Sequence, residues 1–425
     1  MNIQVSLQGH VRECSIAITG SKSETNRLLL LRALYPGFTI TNASSSDDSD
    51  VMEAALETNA NVIDVHHAGT AMRFLTAYFA ICEGREVTLT GSQRMKERPI
   101  SILVDALRRL GADIACLENE GYPPLRIKGK KLTGGSIAIN ANVSSQYITA
   151  LLLIAAKLET GLQLELQGEI TSRPYIEMTL SLLKEIGIIT SFINNLISVP
   201  PVTGNLHPTT IEVESDWSSA SYFYSIVALS PTGTSLRLSS FSKHSLQGDS
   251  ALQDIYKELG VQTGFDGNTV CITKVLNPEI ETLKLEMNKT PDIAQTIAVT
   301  CFGLGIGCHL AGLHTLKIKE TDRLTALKAE LEKLGAKAEI TQDSLSLQPH
   351  SLFRRGGEGL NVIPVSQQDR HIEAVETYND HRMAMAFAPL AVKRPLIIKD
   401  AEVVSKSYPA FWEDMEQIGL RIEEV

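Results

Sequence analysis

Six cysteines (Cys14, Cys82, Cys116, Cys271, Cys301 and Cys308) form no CxxC pair and sit mostly in apolar runs. Buried thiols of a reducing compartment fit that pattern better than a disulfide framework or a zinc site. No run of lysine or arginine is present. The 39 basic residues are mixed with 49 acidic ones for a net charge of −10, which argues against an extended nucleic-acid surface. The N-terminus, Met1-Asn2-Ile3-Gln4, lacks a basic stretch followed by an apolar one, so no secretion signal is expected and a cytoplasmic location is. One long uncharged run exists, Ile293 to Leu316, but Gly303, Gly305 and Gly307 would break a membrane-spanning helix there. A helix, a glycine turn and a strand are expected instead, and no membrane association. The same glycines make a GxGxxC string with no third glycine, and its helix precedes it, so it is not a dinucleotide fingerprint.

What is present is a soluble-protein composition, 43% apolar and 21% charged over 425 residues. That length exceeds one ordinary core and predicts two domains. Internal repetition is the clearest large-scale feature. One segment type is an amphipathic helix ending in glycine, seen before Gly111, Gly187, Gly260, Gly335 and Gly419, with Asn59 in the corresponding place of a weaker first copy. Glycine, then asparagine, is the usual left-handed terminator. A second type opens with small polar residues and continues as a strongly apolar helix. Its openings are Ser21-Lys22-Ser23, Gly69-Thr70, Ser144-Ser145-Gln146, Ser218-Ser219, Asp292 and Asn379-Asp380-His381-Arg382. Each unit holds two helices and about four strands. Six units divide naturally as three plus three.

An apolar helix must be buried, yet its N-terminus keeps unpaired N–H groups and partial positive charge. If such helices point the same way within each domain, their starts converge on a face suited to phosphates and carboxylates. Ser, Thr and Asp there are also ordinary N-caps, and for a single helix capping is the simpler reading. Lys22, Arg73 and Arg382, however, lie in first turns where the dipole disfavours cations, and a bound anion would explain them. Further basic groups lie at helix starts and in short loops: Arg27, five residues after Lys22, then Arg94-Met95-Lys96-Glu97-Arg98-Pro99, Lys319-Glu320-Thr321-Asp322-Arg323 and Ser405-Lys406-Ser407. Any one of these reads as a solvated charge cluster. Their recurrence at matching places in the repeat does not.

The segments Gly20-Ser21-Lys22-Ser23, Ala68-Gly69-Thr70-Ala71-Met72-Arg73, Arg94 to Pro99, Lys319 to Arg323 and Tyr378-Asn379-Asp380-His381-Arg382-Met383-Ala384 closely resemble the 5-enolpyruvylshikimate-3-phosphate synthase family. Ser144-Ser145-Gln146 and Ser172-Arg173-Pro174-Tyr175 add to the likeness, which runs in order along nearly the whole chain. The resemblance implies an α/β fold of two domains, each of three βαβαββ units in an inside-out α/β barrel. Residues 20-213 would form one domain, and 1-19 with 214-425 the other, with the active site in the cleft between them.

The implied reaction moves the enolpyruvyl group of phosphoenolpyruvate to the 5-hydroxyl of shikimate 3-phosphate. By the same resemblance, Ser23, Arg27, Ser144, Ser145, Gln146, Ser172, Tyr175, Asp292, Thr315 and Lys319 hold shikimate 3-phosphate. Gly69, Arg94, Gln146, Arg323, Arg382 and Lys406 hold phosphoenolpyruvate, and Lys22 touches both. Arginine forks suit carboxylate and phosphate, and lysine acts as a point charge. Asp292 is assigned to the attacking hydroxyl, and Glu320 or Lys22 to proton delivery at carbon. Such surroundings favour an ionised carboxylate, which suits a base better than an acid. The simpler readings are an N-cap for Asp292 and a salt bridge to Arg323 for Glu320. No cofactor or metal is implied, since the cations themselves stabilise developing charge. The only implied partners are the two substrates, acting on a monomer, and glyphosate is an expected inhibitor.

The sequence departs from the family pattern in places. The chain between Asp50 and Gly69 is short, so the first unit is expected to lack a hairpin. Thr315 and His67 replace common asparagines, and Phe74 a common proline. His350 to His371 is longer than usual and reads as a surface loop. The UDP-N-acetylglucosamine enolpyruvyl transferases are similar but carry a cysteine near the Arg94–Pro99 loop, which has none here. A ring-shaped DNA clamp of six α/β repeats would line its hole with basic helix faces, and these helices are apolar past their starts. A catalytically inactive binding homologue is disfavoured because every expected charged position is filled.

Overall fold

The computed structural model describes residues 1–142, 144–202, 209–351 and 372–425. The chain divides into two compact units. One comprises Met1–Ile18, Ser215–Ser245 and Asp249–Val425; the other comprises Thr19–Glu214 with Leu246–Gly248. Each has its own apolar core.

The repeat is explicit in the strand pairing. In the Thr19–Glu214 unit, Val62–Asp64 leads through the helix Gly69–Ile81 to the parallel strand Glu86–Thr90. The helix Ser101–Arg109 follows, then the antiparallel strands Asp113–Cys116 and Leu125–Lys128, giving a sheet in the order first, second, fourth, third. Gly135–Asn140, Leu162–Gln167, Ser191–Ile193 and Leu196–Val199 repeat that order around the helices Ser145–Ala155 and Arg173–Glu185. The remaining repeat, first in chain order, is reduced. Thr210–Glu212 pairs in parallel with Thr39–Thr41, flanked by the helices Lys22–Leu34 and Asp47–Glu57, and no hairpin follows among the described residues. The short stretch after Asp50 accounts for this: Val62–Asp64 already belongs to the next sheet.

The other unit has three four-stranded sheets of the same order. Their parallel pairs are Ser15–Ile16 with Ser235–Leu238, Thr282–Glu286 with Gly307–Ala311, and Ala374–Val375 with Leu396–Ile398. The helices Trp217–Leu229, Ala294–Leu304 and His381–Phe387 precede the second strand of each pair. In the last sheet the fourth strand is Ile3–Leu7, supplied from the other end of the chain.

Sequence pattern dictates these elements. Every side chain from Tyr147 to Ala155 is buried, as a helix apolar on all sides requires. Ser101–Arg109 buries Leu103, Val104, Ala106 and Leu107 and leaves Asp105 and Arg109 exposed. Leu162–Gln167 alternates buried leucines with exposed polar residues. All five terminal glycines of the amphipathic helices have positive φ, from 82° at Gly260 to 103° at Gly419. Asn59 does not act as the sixth terminator. The helix Asp47–Glu57 ends at Thr58 in extended backbone, whose hydroxyl accepts the Ala60 N–H at 3.1 Å. An extended exit leads directly into Val62–Asp64, so no left-handed residue is needed there.

The uncharged run forms the helix Ala294–Leu304, a left-handed Gly305 (φ 73°) and the strand Gly307–Ala311. Among the described residues no helix is long and apolar enough to cross a membrane. All six cysteines are free, with Cys301 and Cys308 buried. Most of the expected surface loop after His350, residues 352–371, lies outside the described residues.

Candidate active site

In the Thr19–Glu214 unit, side chains tie the helix starts to neighbouring helices. Lys22 opens Lys22–Leu34, and its Nζ lies 3.0 Å from Oδ2 of Asp48, in the first turn of Asp47–Glu57. The two side chains are 17% and 9% exposed. Arg27, one turn on, is 3% exposed. It donates to the Ser23 carbonyl (2.6 Å), Thr179 Oγ1 (2.9 Å), Thr149 Oγ1 (3.3 Å) and the Tyr175 carbonyl (3.4 Å). Burial lowers its guanidinium to about 10, which keeps it charged at neutral pH. The rings of Phe74 and Tyr175 lie 5.5 and 5.8 Å from it, within cation–π range. Phe74 in place of proline thus extends the packing around Arg27.

Gly69 opens the second buried helix, Gly69–Ile81, and a Cβ there would lie 2.8 Å from Arg98 Nη1. Arg73 is also buried, and it donates to the carbonyls of Gly69 and Pro99 at 3.2 Å each. Its first-turn position therefore serves to fasten the Arg94–Pro99 loop, a role the expectation of a bound anion did not include. Arg94 is 43% exposed on the short helix Gln93–Lys96, 3.4 Å from Glu97. Ser144 caps the third helix by accepting the Gln146 N–H, next to the buried Ser145, while Gln146 Nε2 reaches Thr70 Oγ1 at 3.2 Å. Ser172 precedes Arg173–Glu185 with a left-handed backbone, φ 54° and ψ 42°.

The other unit holds a second cluster. Asp292 lies in the 3-10 turn Pro291–Ile293 and does not cap the helix that follows; Ile293 occupies that position without a side-chain bond. Its Oδ1 is 3.2 Å from Arg323 Nη1 and 3.4 Å from Lys319 Nζ, and its Oδ2 is 3.4 Å from Arg382 Nη2. Glu320 pairs with Arg323 at 2.8 Å, but from the bend before the helix Arg323–Lys333 and not, as expected, from a turn of that helix. Arg323, 2% exposed, also donates from Nε to Asp380 at 2.6 Å. Asp380 caps His381–Phe387 by accepting the Arg382 N–H at 2.9 Å. Arg382 donates to the Asp292 carbonyl (2.9 Å) and to Ser218 Oγ (3.3 Å), which joins the starts of all three buried helices of this unit. Lys406 Nζ donates to the Asn379 carbonyl at 2.6 Å. Thr315 is buried in the turn His314–Ile318, and its hydroxyl has no hydrogen-bond partner among the described residues.

Charge balance sets the ionisation states. Burial alone would raise the Asp292 carboxyl, but Lys319, Arg382 and Arg323 hold it well below the usual carboxylate range. Burial likewise opposes the Arg323 cation, and Asp380 and Glu320 hold it above its ordinary value. Asp249 behaves oppositely. Burial and then repulsion from Asp292 push its carboxyl up to about 7, although Ser218 donates to it.

A family model described as EPSP synthase (3-phosphoshikimate 1-carboxyvinyltransferase) matches residues 50–415. The 3-phosphoshikimate 1-carboxyvinyltransferase of Bacteroides fragilis is 46% identical over 414 residues, covering 97% of this chain and 96% of that protein. That of Haemophilus influenzae is 37% identical, covering 96% of this chain and 97% of the other. This chain belongs to the EPSP synthase family. The EPSP synthase structure from Acinetobacter baumannii superposes with a TM-score of 0.77 at 20% identity, over 100% of both chains. The enolpyruvyl transferase NikO from Streptomyces tendae gives 0.73 at 13%, over 100% and 99%. The fold is that of the enolpyruvyl transferases: two halves, each of three βαβαββ units, the first of them trimmed here.

EPSP synthase motifs account for the basic groups found from sequence and for Glu320 and Asp380, but not for Asp48 and Asp249. Asp48 carries no sequence signal, because an acid in a first turn is ordinary dipole complementation. Asp249 lies in a polar stretch after Ser239 and gives none either.

Proposed function

We propose that this chain transfers the enolpyruvyl group of phosphoenolpyruvate to the 5-hydroxyl of shikimate 3-phosphate, with release of phosphate, on the route to chorismate and aromatic amino acids. The observation that carries this reading is the Asp292 carboxylate, kept ionised among Lys319, Arg323 and Arg382 with Glu320 alongside. Such a group can take a proton from an alcohol while the surrounding cations hold an anionic donor.

Arg94, Arg323, Arg382 and Lys406, with Gly69 and Gln146, hold phosphoenolpyruvate. Lys22, Ser23, Ser144, Ser145, Ser172, Tyr175, Thr315 and Lys319 hold shikimate 3-phosphate. Arg27, enclosed by protein oxygens, contributes its charge and fixes Ser23 and Tyr175. The donor's carboxylate and phosphate neutralise part of the charge on Arg323 and Arg382. That raises Asp292 towards a range in which it accepts a proton. The 5-hydroxyl oxygen then bonds to C2 of the donor as Asp292 takes its proton, and Glu320 or Lys22 delivers a proton to the methylene carbon. A tetrahedral ketal bearing a methyl group results. Cleavage of its bond to the phosphate oxygen, with loss of one methyl proton, restores the enol ether. The enzyme acts as a cytoplasmic monomer, and glyphosate competes for the donor site.

Phosphate release tests the assignment. Release should require both phosphoenolpyruvate and shikimate 3-phosphate, with none when UDP-N-acetylglucosamine replaces the latter. Release with the nucleotide sugar as acceptor would overturn the substrate assignment.

A further inference from the structure

Thr377 to Asp380 form a tight turn closed by a hydrogen bond from the Asp380 N–H to the Thr377 carbonyl at 2.9 Å. Its two central residues, Tyr378 and Asn379, both have left-handed backbones, with φ of 54° and 56°. A turn of this kind favours Asn-Gly, and a bulky tyrosine in its first central position is strained. Something must hold it. The Tyr378 hydroxyl donates to Oε1 of Glu330 at 2.6 Å, and the Glu376 N–H donates to Oε2 at 3.1 Å. Lys333, one turn along the helix Arg323–Lys333, pairs with the same carboxylate. Glu330 is fully buried, and the mechanism above gives it no part.

The strained turn feeds directly into the proposed donor site. Its Asn379 carbonyl receives Lys406 at 2.6 Å. Its last residue, Asp380, binds Arg323 and caps the helix that carries Arg382. One helix therefore grips the turn at two points, through Arg323 at its start and Glu330 two turns later. We infer that Glu330 is a positioning residue, which through the Tyr378 hydroxyl and the Glu376 amide holds the left-handed turn that sets Arg382 and Lys406 for the anionic donor. The inference rests on the proposed roles of those two cations.

The test compares Tyr378→Ala, Tyr378→Gly and Glu330→Gln in the full chain, with KM measured separately for phosphoenolpyruvate and shikimate 3-phosphate. Lys406→Met serves as the control. Tyr378→Ala should raise KM for phosphoenolpyruvate at least fivefold and leave that for shikimate 3-phosphate within twofold. Glu330→Gln, which keeps one acceptor oxygen of two, should do the same. Tyr378→Gly should recover most of the loss, because glycine takes a left-handed φ without strain; a merely structural hydrogen bond would not be rescued in this way. Equal impairment by alanine and glycine would overturn the inference. So would an unchanged donor KM in both Tyr378 variants while Lys406→Met raises it. If Lys406→Met also leaves the donor KM unchanged, the assignment of the site fails first and the inference with it. Tyr378 is 40% exposed, so its variants fold even if Glu330→Gln does not.

Discussion

Lys22 and Asp48 pair at 3.0 Å with both side chains largely buried, so removing the lysine has two separable consequences. Lys22→Met should reduce turnover by about 10²–10⁴-fold, the range of a lost proton-transfer group. It should also cost about 1–3 kcal/mol of stability by stranding Asp48. Adding Asp48→Asn should restore the unfolding temperature but not the phosphate release; recovered turnover would remove Lys22 from the reaction. At Gly69, a methyl group would press on the Arg98 guanidinium, which is 7% exposed and would have to shift. Gly69→Ala should therefore cost about 1–3 kcal/mol in anion binding, with glyphosate, longer than phosphoenolpyruvate, losing more. Inhibition and Michaelis constants measured together check this, and equal losses would place Gly69 away from the donor. Asp249 carries a pH dependence. Its carboxyl rises from 3.8 to about 7 on folding, so between those values the folded state holds a proton that the unfolded chain has released. Stability contributed by this group is therefore lost as pH rises through that window. Asp249→Asn should raise the unfolding temperature most at pH 8, less at pH 5 and little at pH 3.5; an equal change at all three would contradict the buried-carboxyl account.

The amphipathic helices end where their glycines stand because a residue of positive φ lets the chain turn back into a strand. Gly111 has φ 101° and open space where a Cβ would sit. Any cost of Gly111→Ala is therefore conformational, about 1 kcal/mol. Thermal unfolding should show it with kcat unchanged, and a loss of turnover would mean that the helix end communicates with the site. These glycines and the polar openings of the apolar helices made the repeat legible from sequence. The missing hairpin was legible too, since too few residues separate Asp50 from Gly69. The basic half of the site could be read because cations at helix starts are locally unfavourable and so stand out. Of its acidic half only Asp292 and Glu320 could be named, through the family resemblance. Asp48 and Asp380 look like ordinary first-turn and cap residues, and only tertiary structure brings them to Lys22 and Arg323. Asn59 misled because asparagine suits a left-handed end, yet a threonine turn at Thr58 serves an extended exit.

At the scale of the whole molecule, each unit buries three helices with polar starts: in one, Gln146 reaches Thr70 and Lys22 pairs with Asp48; in the other, Arg382 joins Ser218 and the Asp292 turn. The proposed chemistry draws on both clusters: arginines and lysines for two anions, an ionised Asp292 for the alcohol, and a proton donor for the methylene carbon. Addition followed by elimination makes a specific demand on hydrogen. The donor's methylene becomes a methyl group and then a methylene again, so one hydrogen in the product can come from solvent. The decisive measurement is the reaction of phosphoenolpyruvate with shikimate 3-phosphate in deuterium oxide, with the product examined by proton NMR alongside phosphate release. The account predicts one phosphate per product and deuterium in the enolpyruvyl methylene. Product formed with a fully protonated methylene, or no product from this pair of substrates, would contradict it.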